Sequence, residues 1–268
     1  MSTSDTAETP EKLRLGGMAL RNGLLVHGPT HWAAAVRTKD GSIKTASGRK
    51  PTLDATHGVP GLRGVVRLGE AFVVIPLVKR ALPEARMPFQ DLSTLGVAAG
   101  TTIAGSLLRR RVRGAGGEVA IALISMAPAL FALRGGELAE YHGVEHKAIA
   151  AYESDADDAR DAGKEHDRCG SHLVAPLLAS NLAGTVLLRQ VVAKPHPLAG
   201  GALALASTAV AVEVFAWSER NSSTRLAKAL RRPGFEIQRL VGTREPDDRQ
   251  LEVGRAALAE ILGVESAN

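Results

Sequence analysis

Two apolar runs, Leu173 to Ala193 and Leu198 to Trp217, constrain this chain most. Each is about 20 residues, the length of a helix that crosses a bilayer. Lipid offers the backbone no hydrogen-bond partner, so such a segment must be helical. Two shorter runs precede them, Leu92 to Leu108 and Val119 to Leu133, which span only with flanking residues or form a shallow re-entrant hairpin. The expected fold is mainly α and integral to a membrane, with about four hydrophobic helices. An even number of spans places both chain ends and the segment between the two pairs on one side. Lysine and arginine are abundant in all three, so that side reads as cytoplasmic in a multi-pass protein of the cell membrane, with the lipid bilayer as partner. Arg109, Arg110, Arg111 and Arg113 would then face outward, a conflict that a re-entrant first hairpin removes.

Ionisable groups inside the longer runs are costly and need partners. Glu213 sits between Val212 and Val214 and calls for a cation, a metal or a proton, and Arg189, nearer an end, snorkels or pairs across the bundle. Ser180 and Asn181 read as hydrogen-bond glue between helices.

Outside the runs the chain divides by composition. Residues 1–12 are polar and read as a disordered lead without a signal peptide. Residues 13–50 form a small β unit, because Lys39-Asp40-Gly41-Ser42 between short apolar runs is a hairpin signal. Residues 51–91 hold an amphipathic helix, Leu62 to Leu82, that rests on an anionic membrane surface or packs against the bundle. The hydrophobic hairpin covers 92–133, a polar segment 134–172, the two transmembrane helices 173–217, and a cytoplasmic helical segment 218–268. In the last, Glu245-Pro246-Asp247-Asp248 starts a final helix with an apolar stripe of Leu251, Ala257, Leu258, Ile261 and Leu262.

The net charge of +5 invites a nucleic-acid reading, but the basic residues are dispersed and only 3% of residues are aromatic, so base stacking finds no platform. A single cysteine excludes an internal disulfide and leaves Cys169 as a ligand or an apolar filler.

Segment 134–172 carries the chemistry. Tyr141-His142-Gly143-Val144-Glu145-His146 sits on a helix from Leu138 to about Tyr152, and residues four apart lie about 40° apart on one face, so both imidazoles reach one ion. H-x-x-E-H is the inverted zincin order, in which the histidines hold zinc and the glutamate, Glu145, acts as base toward water. Glu153 shares the stripe but lies about 10 Å farther along, so it supports the ligands rather than binding. The connection Ser154 to Glu165 is long enough to return His166 and Cys169, spaced like a zinc half-site. With four donors the site is closed and structural; with three, a position stays open and Glu145 acquires a task.

These pieces together resemble the YqhQ-like domain-of-unknown-function family of bacterial multi-pass membrane proteins, labelled predicted metal-dependent enzymes. The resemblance rests on Gly16-Gly17-Met18-Ala19, Arg63-Gly64-Val65, the stretch Tyr141 to Lys147 with Tyr152-Glu153, His166, Arg168-Cys169-Gly170-Ser171, Glu213-Val214, and Thr243 to Asp248 with Leu251-Glu252-Val253. It implies a metal site at the His, Glu and Cys positions, with Arg168 among the polar residues around it. The chain departs from the family at Asn22, where members often carry glutamate.

Two functions fit these residues. One is a zinc-dependent hydrolase (zinc or another divalent transition metal) with His142, His146, Cys169 and His166 as ligands and Glu145 as base. The other is a non-enzymatic, metal-stapled membrane scaffold or carrier, with Glu213 lining an ion path.

Overall fold

A computed structural model describes residues 12–52, 62–111, 115–133, 136–192 and 196–267. Apart from Lys12, the expected disordered lead lies outside the described residues. The β unit is a four-stranded antiparallel meander in sequential order: β1 Gly16–Leu20, β2 Gly23–His27, β3 His31–Arg37 and β4 Ile43–Arg49. Arg37 pairs with Ile43 across the Asp-Gly turn, where Gly41 takes φ +89°, a conformation that costs glycine little.

Both faces of this sheet are covered, because strand residues alternate sides and each set is apolar. Leu24, Val26, Ala33 and Ala35 pack against Leu251, Ala257 and Ile261 of α9, Asp248–Ser266, and Tyr141 and Val144 of α5, Glu137–Ser154. Leu25, Trp32, Ala34 and Val36 pack against Val74 and Val78 of α1, Leu62–Ala81. Of the expected stripe on α9, Leu251, Ala257 and Ile261 are buried and Leu258 and Leu262 partly so, and the helix starts with a capping box between Asp247 and Gln250.

α1 serves two partners. Its C-terminal half covers the sheet, and its N-terminal half lies so close to α7, Pro197–Arg220, that a Cβ at Gly64 would stand 2.1 Å from Val212 Cγ1. α6, Val174–Val191, runs back along α7 at similarly close range at Gly184. The Ser180 hydroxyl reaches the Pro176 carbonyl of its own helix at 2.7 Å and the Ser207 carbonyl of α7 at 3.2 Å, so the interhelical role read for it is shared with a bond inside α6.

Among the described residues two segments are long and apolar enough to cross a membrane, Gly170–Val191 and Leu198–Arg220. A third is counted only if Gly116–Ala132 and Glu137–Ser154, bent by 87°, form one span. The expectation of about four hydrophobic helices is therefore too high. α2, Leu92–Arg111, is diluted by threonine, serine and glycine and ends in arginines. α3, Ala115–Ser125, has 11 residues, about 16 Å of helix, before the short α4, Ala127–Ala132. The carboxylate of Glu118, 6% exposed, meets Arg109 at 3.5 Å and Arg189 at 2.9 Å, so of the two roles read for Arg189 it takes pairing across the bundle.

Candidate metal centre

α5 brings His142 and His146 to one face, with ring centroids 4.4 Å apart. The helix is held in place through Gly143, whose added Cβ would stand 2.2 Å from the Arg244 carbonyl oxygen. The segment that begins at Thr243 lies directly on α5, and Arg244 N donates to Ala139 O at 2.9 Å. The preceding π turn, Gln238–Gly242, delivers the Gly242 carbonyl to His142 Nδ1 at 2.8 Å. The Lys164 carbonyl accepts from His146 Nδ1 at 2.5 Å. A carbonyl only accepts, so both rings carry their proton on Nδ1 and present a lone pair at Nε2.

Cys169 completes the group. Its Sγ lies 3.4 Å from His142 Nε2, and one ligand atom from each of His142, His146 and Cys169 falls within 4.8 Å of the others. Zinc bonds of about 2.0–2.3 Å in tetrahedral geometry separate donors by roughly 3.3–3.8 Å, so the Cys169 to His142 spacing already suits an ion. His146 is 2% exposed and its Nε2 has no hydrogen-bond partner, an expensive condition for a buried ring nitrogen unless something else occupies it. Burial, reinforced by His142, lowers His146 to about 3, which keeps the imidazole neutral and able to ligate. Burial pushes the Cys169 thiol up.

Glu145 stands beside the three donors. Its side chain packs beneath β1 so tightly that a Cβ at Gly17 would be 2.6 Å from Glu145 Cγ. Burial raises its carboxyl to about 7, opposed by His142 and aided by Cys169. It can therefore take or give a proton near neutrality.

The structure does not bring His166 into the group. Its Nε2 faces Glu153 at 3.3 Å, its Nδ1 accepts from Arg168 N at 3.2 Å, and its ring centroid is 5.7 Å from that of His146. Glu153 also binds the Arg168 guanidinium, so Glu153, His166 and Arg168 form one polar network next to the centre. Glu213 is half-buried on α7, beside the contact of Val212 with α1. Asn22 bridges chain segments: its amide donates to the Arg37 and Glu84 carbonyls and accepts from Arg86 N.

Two supporting residues escaped the sequence reading. Lys147, 5% exposed, donates to the Arg160 and Ala162 carbonyls and pairs with Glu245 at 3.1 Å, fixing the loop that ends at Lys164 and Cys169. Replacing it by methionine removes the donor from both carbonyls, and a loss of about 1–3 kcal/mol in denaturant unfolding is expected, with faster amide exchange over residues 159–164. His172 follows Cys169 at ligand spacing, a signal that was available. It is nevertheless turned away, with Nδ1 on the carbonyl of Arg231 in α8, Arg225–Ile237, at 2.9 Å and Nε2 against Gln238 at 3.3 Å.

A two-sided sheet, a histidine and cysteine cluster and an apolar helix pair rooted at that cluster define the class: a mainly helical protein with a candidate metal centre at the base of its most apolar helices. The chain belongs to the family described as "Protein of unknown function (DUF1385)", whose model matches residues 121–264, from α3 through most of α9 and across the whole centre. It is 24% identical over 302 residues to "Uncharacterized protein YqhQ" of Bacillus subtilis (strain 168), with 94% of this chain and 93% of that protein covered. The YqhQ-like resemblance is thereby borne out. No solved structure matches.

Proposed function

We propose that this chain is a multi-pass membrane protein in which His142, His146 and Cys169 hold one zinc ion and Glu145 is the base of a hydrolytic reaction. The observation that carries the reading is the His146 Nε2 atom, buried without a protein partner and turned toward two further donors. Zinc in that position would supply Lewis acidity, and three protein donors leave it a fourth position.

The protein's own residues supply the rest. The Gly242 and Lys164 carbonyls fix both imidazole tautomers. Glu145, held near neutrality by burial, takes a proton from a water nucleophile and returns it to the leaving group. Cys169 stands immediately before the apolar segment Gly170–Val191, so the reaction takes place where the aqueous head meets the bilayer. Peptide, amide and lipid-linked ester bonds are the substrate classes this chemistry accommodates. α6 and α7 form a hairpin, which returns the chain to the side it left. The abundance of lysine and arginine on that side supports a cytoplasmic centre and cytoplasmic termini.

A scaffold or carrier is the second reading, favoured by the donors' origin: two from α5 and one from the base of α6, so that an ion would staple the head to the apolar pair. Glu145→Gln separates the two. In detergent-purified protein, mass spectrometry should find about one zinc per chain in wild type and in Glu145→Gln, and little in Cys169→Ala. The hydrolase loses about 10²–10⁴ of its rate on an ester and peptide panel in Glu145→Gln, whereas a scaffold shows no turnover to lose and keeps its stability. Wild type carefully purified without any zinc would sink both.

A further inference from the structure

Gly17, which touches Glu145, also belongs to the wall of a separate cavity of about 1070 Å³ between one end of the sheet and α1. The wall is cationic: Arg14, Arg49, Lys50 and Arg67 line it with one carboxylate, Glu70, and a second, Glu265, stands behind Gly28 and Thr30. Arg14 is engaged by Glu219 at 2.5 Å, while Arg49 and Arg67 are exposed and make no ion pair among the described residues. The Lys50 ammonium donates to the Gly28 carbonyl at 2.8 Å, and burial holds it below its ordinary range despite Glu70 and Glu265. His27 adds a buried Nδ1 with no hydrogen-bond partner. One multidentate anion would relieve both the partly buried Lys50 charge and the unpaired His27 nitrogen, with the exposed Arg49 and Arg67 free to close on it.

The position of the cavity narrows the source of that anion. α1 touches the apolar α7 at Gly64, and Arg67 is one turn farther along, so the basic wall begins where the apolar layer ends. Next to Ala71 of that wall, α1 exposes Leu68, Phe72, Val73 and Leu77, Phe72 to 60%, a stripe turned away from the sheet. A cationic cavity beside an apolar stripe matches an amphiphile with a charged end.

We propose that this cavity binds the phosphate headgroup of an anionic membrane lipid, whose acyl chains lie along the Leu68 and Phe72 face of α1. The proposal rests on α6 and α7 spanning the bilayer but not on the metal centre. Cell fractionation tests that premise separately, since recovery of the chain in the soluble fraction would remove the premise itself.

Thermal unfolding of the full chain in dodecyl maltoside, with dioleoyl phosphatidic acid, dioleoyl phosphatidylcholine or inorganic phosphate added, tests the binding. Phosphatidic acid at saturation should raise the midpoint by about 5–10 °C, and phosphatidylcholine should not. Arg49→Gln with Arg67→Gln should abolish the shift and leave zinc content unchanged. Lys39→Gln with Lys44→Gln, in a different basic cleft, should retain the shift. Should the first pair not fold, Arg49→Gln alone, at an exposed strand end, carries the test with a reduced shift. Equal shifts with both lipids, no shift with either, or equal loss in both variant pairs would overturn the proposal. A shift with inorganic phosphate but not with phosphatidic acid overturns the lipid assignment.

Discussion

Replacing His146 by alanine is expected to empty the proposed centre, lowering zinc affinity more than about 100-fold, since loss of a supporting partner alone costs 10–100-fold. The ring is the most buried of the three donors, and its Nδ1 is already committed to Lys164, leaving Nε2 with no protein partner. Zinc at the proposed centre would bind the folded chain alone, so chelation should lower the thermal midpoint of wild type by about 5–10 °C. His146→Ala should start from the lower midpoint and be indifferent to chelator. Identical zinc content in wild type and variant, or a wild-type midpoint that ignores the chelator, would remove the ion from the reading.

Gly143→Ala is expected to destabilise the protein by about 2–3 kcal/mol, although in an isolated helix the same change would stabilise by about 1 kcal/mol. The added methyl would stand 2.2 Å from the Arg244 carbonyl oxygen, and backbone cannot step aside as a side-chain tip can. Relief requires the segment after Gly242 to lift, which breaks the Arg244 to Ala139 hydrogen bond and moves the carbonyl that orients His142. Zinc retention should therefore fall together with stability in denaturant unfolding. Gly263→Ala, at an exposed position of α9 with nothing within 4 Å, is the control and should stabilise slightly. A neutral Gly143→Ala would mean that the segment is not clamped on α5.

Much of the centre was legible because its logic is local. The i, i+4 spacing of His142 and His146 needs only a helix, and the helix needs only its composition. The hairpin at Asp40-Gly41 and the capped start of α9 are local in the same sense. Gly143 reads differently once the fold is known: in sequence it is a tolerable weakness in a helix, and in the fold it is the point of closest approach between distant segments. The carbonyls of Gly242 and Lys164 carry no side-chain signature at all, so residue types could not announce them. His166 and Cys169 looked alike as donors, yet Gln238, 72 residues away, takes the His166 backbone and Glu153 faces its ring.

The sequence by itself determined the two apolar helices, the β unit, the histidine pair and the cysteine returning toward it, because hydropathy, turn chemistry and helical period act over a few residues. Only the tertiary structure decided that three donors rather than four converge, and that Glu145 lies beneath Gly17 with its carboxyl near neutrality. It also decided that α1 and two glycine-lined strand ends enclose a cationic cavity. Such features arise from burial and from contacts between residues far apart in the chain, and desolvation has no value until the surrounding chain is in place.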